Sequence, residues 1–139
     1  MSHDATKVLL GSSRSSFRVV DNKVGTIAAG LAVRQKSDGT ISTALADGSL
    51  LGISFGKDLS NAGRTNICRA GLQVPVLLAS GFTPTLGAQV HIDDTTGEAA
   101  ASGTGKTGVN AVYASAVLTG VKEDGTTGNV ALIDFQGGL

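Results

Sequence analysis

The chain has 139 residues, no formal net charge, 41% hydrophobic residues, 20 glycines and only four phenylalanines and one tyrosine as aromatic residues. This length fits one domain that buries roughly two thirds of its unfolded surface, with a core built mainly of Val, Ile, Leu and Ala. The balanced charge and scarce aromatics disfavour nucleic acid as a partner, and no apolar run is long enough to span a membrane.

The charge is nevertheless unevenly distributed along the chain. Six Lys or Arg residues against two Asp residues give residues 1–36 a balance of +4, and two Lys residues against six Asp or Glu residues give 91–139 a balance of −4. Such a pattern is typical of an ordinary solvated surface. It also suits a subunit whose basic end meets an acidic partner, or a second copy of itself.

The first 16 residues predict an extended arm, and residues 17–139 predict a β domain. The arm is polar and rich in serine, with a single short apolar patch at residues 8–10, which is weak material for a packed element. It lacks the apolar core of a signal peptide, so we expect a soluble protein made in a cytoplasm.

From Phe17 onwards, short apolar and β-branched runs alternate with Gly, Asp and Asn turns, and no window carries a helical period. This predicts an all-β, single-domain fold, either a β-sandwich or jelly roll or a small β-barrel. Pro75 predicts an edge strand or a bulge in its run. The predicted strands cover residues 17–20, 31–35, 40–46, 50–55, 65–70, 72–78, 88–92, 111–121 and 129–135.

The sequence also repeats itself once. A Gly-x-x-Val opening at 30–33 leads to a turn at 38–39 and an apolar return at 50–53, and the same opening at 87–90 leads to a turn at 94–97 and a return at 116–121. Two units are too few for a solenoid. We therefore expect two related halves that close around one core.

The apparent chemical motifs are incomplete. Residues 102–107 resemble the end of a phosphate-binding loop, but the first glycine of that motif is replaced by Ala100, which indicates a flexible loop instead. His91 with Asp93 and Asp94 has the chemistry of metal ligands, but the aspartates are more typical of a turn. The single Cys68 is expected to be a buried thiol. We therefore predict no enzyme activity, no cofactor and no metal.

Several segments together resemble the small decoration, or cement, proteins of tailed bacteriophage capsids. The resemblance covers nearly the whole chain from Phe17 onwards and consists of strand and turn patterns. Its segments are Ala-Ala-Gly-Leu-Ala-Val at 28–33, Ser-Asp-Gly-Thr-Ile at 37–41, Leu-Gly-Ile at 51–53, Ile-Cys-Arg-Ala-Gly-Leu-Gln-Val-Pro-Val at 67–76, Val-His-Ile-Asp-Asp-Thr-Thr-Gly at 90–97 and Val-Ala-Leu-Ile-Asp-Phe at 130–135.

The resemblance implies a structural virion protein that binds the outside of the major capsid protein shell and holds neighbouring subunits together against genome pressure. Its partners would be the major capsid protein and itself, as a dimer or trimer, on the outer capsid surface. The predicted interface residues are the cations Lys7, Arg14 and Arg18, with Phe17 either an apolar anchor or a core residue of the first strand.

Two other functions remain open from the sequence. One is a tail or fibre-base structural protein, against which Pro75 counts if it blunts a sheet edge. The other is a small β-barrel hydrolase, which requires a pocket with a perturbed carboxylate or histidine, for which His91 is the candidate.

Overall fold

The computed structural model describes residues 7–10 and 18–136, which form eleven strands and one short 3-10 helix, Leu45–Asp47. The predicted all-β, single-domain fold is confirmed. The strands are β1 (Lys7–Leu9), β2 (Arg18–Val24), β3 (Ala32–Gln35), β4 (Ile41–Ser42), β5 (Ser49–Lys57), β6 (Arg64–Leu77), β7 (Gln89–Asp93), β8 (Ala99–Ala100), β9 (Lys106–Tyr113), β10 (Leu118–Val121) and β11 (Thr127–Phe135).

All eleven strands belong to one open sheet. Its main path runs β4-β3-β5-β6-β11-β9-β7-β8, with β2 added to β6, β10 added to β11 and β1 added to β10. Every strand pair is antiparallel except β1 with β10. The long strands β6 and β11 form the centre and change partners along their length.

The sequence repeat corresponds to a structural repeat. In the first half, β3 forms a hairpin with β4 and pairs along its other edge with β5, and in the second half β7 is related in the same way to β8 and β9. The return segment of the second half is therefore β9 and not the predicted run at 116–121, which contains β10.

β2 also continues to Val24, four residues beyond the predicted run at 17–20. Three further differences concern how predicted runs are joined or divided. The two runs at 65–70 and 72–78 form the single strand β6, the run at 40–46 contains only β4 and the start of the 3-10 helix, and the run at 111–121 contains the end of β9 and all of β10. The bulge in β6 that joins its two parts lies at residues 72–73.

The main core lies on one face of the curled sheet. Seven strands contribute buried side chains to it, from Ala32 in β3 to Phe135 in β11, and it includes Cys68, which is fully buried as predicted. The opposite face is covered by the segment 25–31, in which Leu31 packs against two smaller clusters. The sheet thus buries both faces near its centre.

Two backbone hydrogen bonds connect the end of the strand path that contains β3 to the end that contains β7 and β8. The Ala32 amide donates to the Gly97 carbonyl at 2.9 Å, and the Leu45 amide donates to the Asp94 carbonyl at 2.7 Å. Gly97 has a φ of +79°, and a Cβ there would lie 2.8 Å from the Ala32 oxygen, so only glycine fits this contact. We name this contact between β3, the 3-10 helix and the turn 94–97 the seam.

Pro75 lies in β6, and the prediction of an edge strand or a bulge is confirmed by a bulge two residues earlier, where Gln73 has a φ of +53°. The Leu78 amide donates to β11, whereas the Leu77 amide donates to Gly30 on the other side. By alternation, the position of Pro75 faces away from β11. The missing N–H therefore removes no bond between β6 and β11.

Part of the predicted N-terminal arm belongs to the body. β1 pairs with β10, the Leu10 amide donates to the Val121 carbonyl at 3.1 Å, and the Leu10 side chain is only 6% exposed, in a cluster with Leu77 and Val130. An apolar patch of three residues was too short to be recognised as a packed element. Residues 7–10 are therefore anchored, and the rest of the predicted arm lies outside the described residues.

Candidate protein interface

The predicted interface residues fall at two separate places in the sheet. Lys7 opens β1 with its backbone opposite Thr119 of β10, and Arg18 opens β2 with its backbone opposite Gly71 of β6. Arg14 and Phe17 lie outside the described residues. Of the two strands, β2 is the one that presents an extended surface.

β2 is the longest strand with a single strand partner in the described part of the chain. The others, β1, β4 and β8, have three, two and two residues, whereas β2 has seven. Short edge strands offer little template for another chain, but a strand of seven residues needs protection against unwanted pairing.

Side chains supply this protection at the middle of β2. The Asn22 amide donates to Oδ1 of Asp21 at 2.8 Å, and the Asn22 carbonyl accepts from Nη2 of Arg64 at 3.2 Å. Nδ2 of Asn22 donates to Asp58 and Asn66, and Nε of Arg64 donates to Oδ1 of Asn22. Because the backbone groups of Asn22 are occupied, a partner at this edge would contact side chains and not add a strand.

Those side chains are apolar with a charged border. Val20 and Val24 are 48% and 49% exposed and flank Asn22 on one face. On the other face, Oδ2 of Asp21 lies 3.8 Å from Nζ of Lys23 and 3.8 Å from Nη1 of Arg69. We name the valines at 19, 20 and 24 with these three charged residues the β2 surface. Val20 and Val24 share one face of the strand, and by alternation Val19 shares the other face with the charged residues, whose charges sum to +1. A partner that contacts both faces of this edge would need apolar groups and carboxylates.

The segment that resembles a phosphate-binding loop contains a lysine that forms an ion pair with the aspartate at the end of β7. Lys106 begins β9, and its Nζ lies 3.2 Å from Oδ2 of Asp93. The Asp93 carboxylate also accepts the amides of Thr96 and Thr95, and these bonds, with a smaller effect of Lys106, lower its pKa to about 2. The interpretation of residues 102–107 as a loop holds only up to Gly105, because Lys106 and Thr107 belong to β9.

His91 and its neighbouring aspartates do not form a cluster. His91 lies in β7 opposite Ala100 and Gly108, and Oδ1 of Asp94 accepts from the Thr107 hydroxyl at 2.6 Å. Within 7–10 and 18–136, no group of three or more His, Cys, Asp or Glu side chains is placed to hold a metal ion. The shift of Asp93 is downwards, the opposite of the raised pKa that a general acid requires.

Two buried polar side chains were not foreseen from the sequence. Arg34 is 2% exposed, its Nε and Nη2 have no hydrogen-bond partner among the described residues, and burial lowers its pKa, partly offset by Asp94. The Tyr113 hydroxyl is likewise buried without a partner there, and burial raises its pKa to about 12. Strand alternation could have predicted the burial of Arg34. It stands two residues after Ala32, a core residue, so both side chains are expected on the same face of β3.

Comparison with known protein families, with curated proteins and with solved structures finds no match for this chain. Among the residues that the structure describes, no helix combines the length and the apolar character needed to cross a membrane.

Proposed function

We propose that this chain is a structural virion protein that binds the outside of a tailed-phage capsid and cements neighbouring major capsid subunits. The observation that carries the proposal is the β2 surface, a long edge of the sheet whose half-exposed valines and positive border are directed outwards. The basic N-terminal residues Arg14 and Arg18 lead directly into it, so one stretch of chain supplies both apolar and cationic contacts.

The body suits this task because its turns are internally bonded. Four aspartates accept the amide of the residue two positions later at 2.8 or 2.9 Å, which fixes the tight connections between strands. A surface on such a preorganised body loses little conformational entropy on binding. Many weak contacts then add up on a lattice of repeated subunits. The four pairs are Asp38–Thr40, Asp58–Ser60, Asp93–Thr95 and Asp124–Thr126.

Co-sedimentation with undecorated phage heads tests the proposal. We expect saturation at a fixed number of copies per capsid subunit, and weaker binding as salt is raised, because the cationic contacts are screened. Val20→Asp and Val24→Asp should each reduce occupancy at least tenfold, since each replaces an exposed apolar side chain of the β2 surface with a charge. Val117→Asp is the matched control, because Val117 is a valine of similar exposure, 40%, outside the β2 surface.

The N-terminal cations are tested separately with Arg14→Glu and Arg18→Glu. Both should reduce occupancy at low salt and flatten its salt dependence, whereas Lys57→Glu, on an exposed strand end elsewhere, should not. A wild-type chain that fails to bind any shell, or valine variants that bind like wild type, would contradict the proposed attachment.

A tail or fibre-base structural protein is the second candidate. The observation that favours it is the same β2 surface, because exposed apolar and charged side chains can also join copies of one chain into rings, and Pro75 lies in β6 and not in this edge strand. Electron microscopy of the purified chain distinguishes the two functions. Regular tubes or stacked rings that form without a shell support the tail function, and lattice-bound copies support the capsid function.

A further inference from the structure

An apolar hollow lies where β6 and β11 meet near the start of β2. It measures about 440 Å³ and is lined by Ala70, Leu72, Phe135 and Gln136. The Phe135 side chain is buried and Leu72 is 43% exposed. Three of the four lining side chains are apolar, so the hollow suits an aliphatic side chain better than a polar ligand.

An aliphatic side chain of the same protein is displayed at the far end of β6. Leu59 is 98% exposed, the highest exposure among the large hydrophobic residues described. Its loop is held by several hydrogen bonds: the Asp58 amide donates to Arg64 at 2.9 Å, the Ser60 amide donates to Oδ1 of Asp58 at 2.9 Å, and the Asn61 amide donates to the Asp58 carbonyl at 3.3 Å. Leu59 is thus a protruding apolar residue on a fixed loop.

The two features cannot meet within one molecule. β6 begins at Arg64, beside the Leu59 loop, and eight residues separate Arg64 from Leu72 at the hollow, which corresponds to roughly 25 Å of extended strand. A contact between Leu59 and the hollow therefore requires a second copy of the chain.

We propose that copies of this chain associate head to tail, with Leu59 of one copy seated in the hollow of the next. Charges of opposite sign accompany the two features: Asp58 precedes Leu59 in the chain, and Arg69, which lies 3.8 Å from Asp21 and keeps 47% of its side chain exposed, precedes Ala70 at the hollow. The zero net charge also means that copies do not repel one another over a distance. A contact between two different patches of the same subunit generates a closed ring or an open chain.

This inference does not rest on the virion function, and it is tested on the full chain alone. Sedimentation velocity over a concentration series should show reversible oligomers of the wild type. Leu59→Asp should weaken association at least about tenfold, which is the loss expected when a buried apolar anchor is replaced by a charge. Leu86→Asp, a leucine 67% exposed in another loop, is the matched control and should associate like wild type.

Complementation distinguishes this contact from a symmetric one. Leu72→Asp and Ala70→Glu, with thermal unfolding as the folding check, should each be monomeric because the hollow is charged. Mixed with Leu59→Asp, either should give a 1:1 complex, because the mixture holds one intact leucine and one intact hollow. A monomeric wild type at high concentration, unaltered association of Leu59→Asp, or mixtures that stay monomeric would each overturn the proposal.

Discussion

Replacement of Leu10 by alanine tests whether the N-terminal segment is part of the folded body. The Leu10 side chain is 6% exposed in a cluster with Ala29, Leu77, Val130 and Leu132, and its Cδ2 lies 3.1 Å from where a Cβ on residue 30 would stand. Truncation of a leucine in such a site typically removes about 2–5 kcal/mol, so we expect a loss of about 3 kcal/mol in the free energy of unfolding. That is a large share of the roughly 5–15 kcal/mol that holds a domain folded.

Urea denaturation followed by circular dichroism measures this loss. The midpoint should fall without a change in the slope, and the melting temperature should drop by roughly 10 °C for a domain of this size. Leu59→Ala is the control: at 98% exposure it should change the free energy of unfolding by less than about 0.5 kcal/mol. If Leu10→Ala costs less than about 1 kcal/mol, residues 7–10 are not anchored, and the interpretation of residues 1–16 as a free arm returns.

Three further changes address single side chains. Asp93, with a pKa of about 2 against 3.8 when unfolded, contributes up to about 2 kcal/mol that is present above pH 4 and is lost as pH falls to 2. Asp93→Asn should therefore lower the free energy of unfolding at pH 7. It should also reduce the fall in that free energy between pH 4 and pH 2, and an unchanged fall would refute this. Gln73→Gly should raise the free energy of unfolding, measured by urea denaturation, by roughly 0.5–1 kcal/mol, because the left-handed φ of +53° strains glutamine and suits glycine. A loss of stability would show that this backbone position is not strained. Tyr113→Phe removes a buried hydroxyl without a described partner and should raise the free energy of unfolding by about 1 kcal/mol. In the wild type, alkaline difference spectra should place the midpoint of tyrosine ionisation near pH 12, or at the pH where the chain unfolds. A destabilised Tyr113→Phe would show that the hydroxyl is bonded.

The sequence was sufficient for the fold class and for the repeat, because both are written in local patterns. Glycine and aspartate turns separate short runs, and the same opening at 30–33 and 87–90 marks two equivalent strands, β3 and β7. The third strand of the second unit was misplaced because glycines at 103 and 105 suggested a loop. The alternation of Val109, Ala111 and Tyr113, all buried in β9, was the signal that could have located it.

The candidate interface could be predicted only in part. Arg18 does open the strand that carries the β2 surface. Which edge of β2 stays open, however, follows from the pairing of β2 with β6, some 40 residues away in the chain. The capping of Asn22 by Asp21 and Arg64 depends on the same long-range register. Pro75 illustrates this limit too, since its missing N–H points away from β11, a matter of register that no local pattern contains.

The repeat has a consequence for how the chain is assembled. The half β4-β3-β5-β6 adjoins the half β11-β9-β7-β8 where β6 pairs with β11. The main core takes side chains from both halves. Neither half can bury its apolar face alone, so the domain is in effect a dimer of two small units joined by a tether at residues 79–88. Cutting that tether should therefore leave two fragments that fold only in each other's presence.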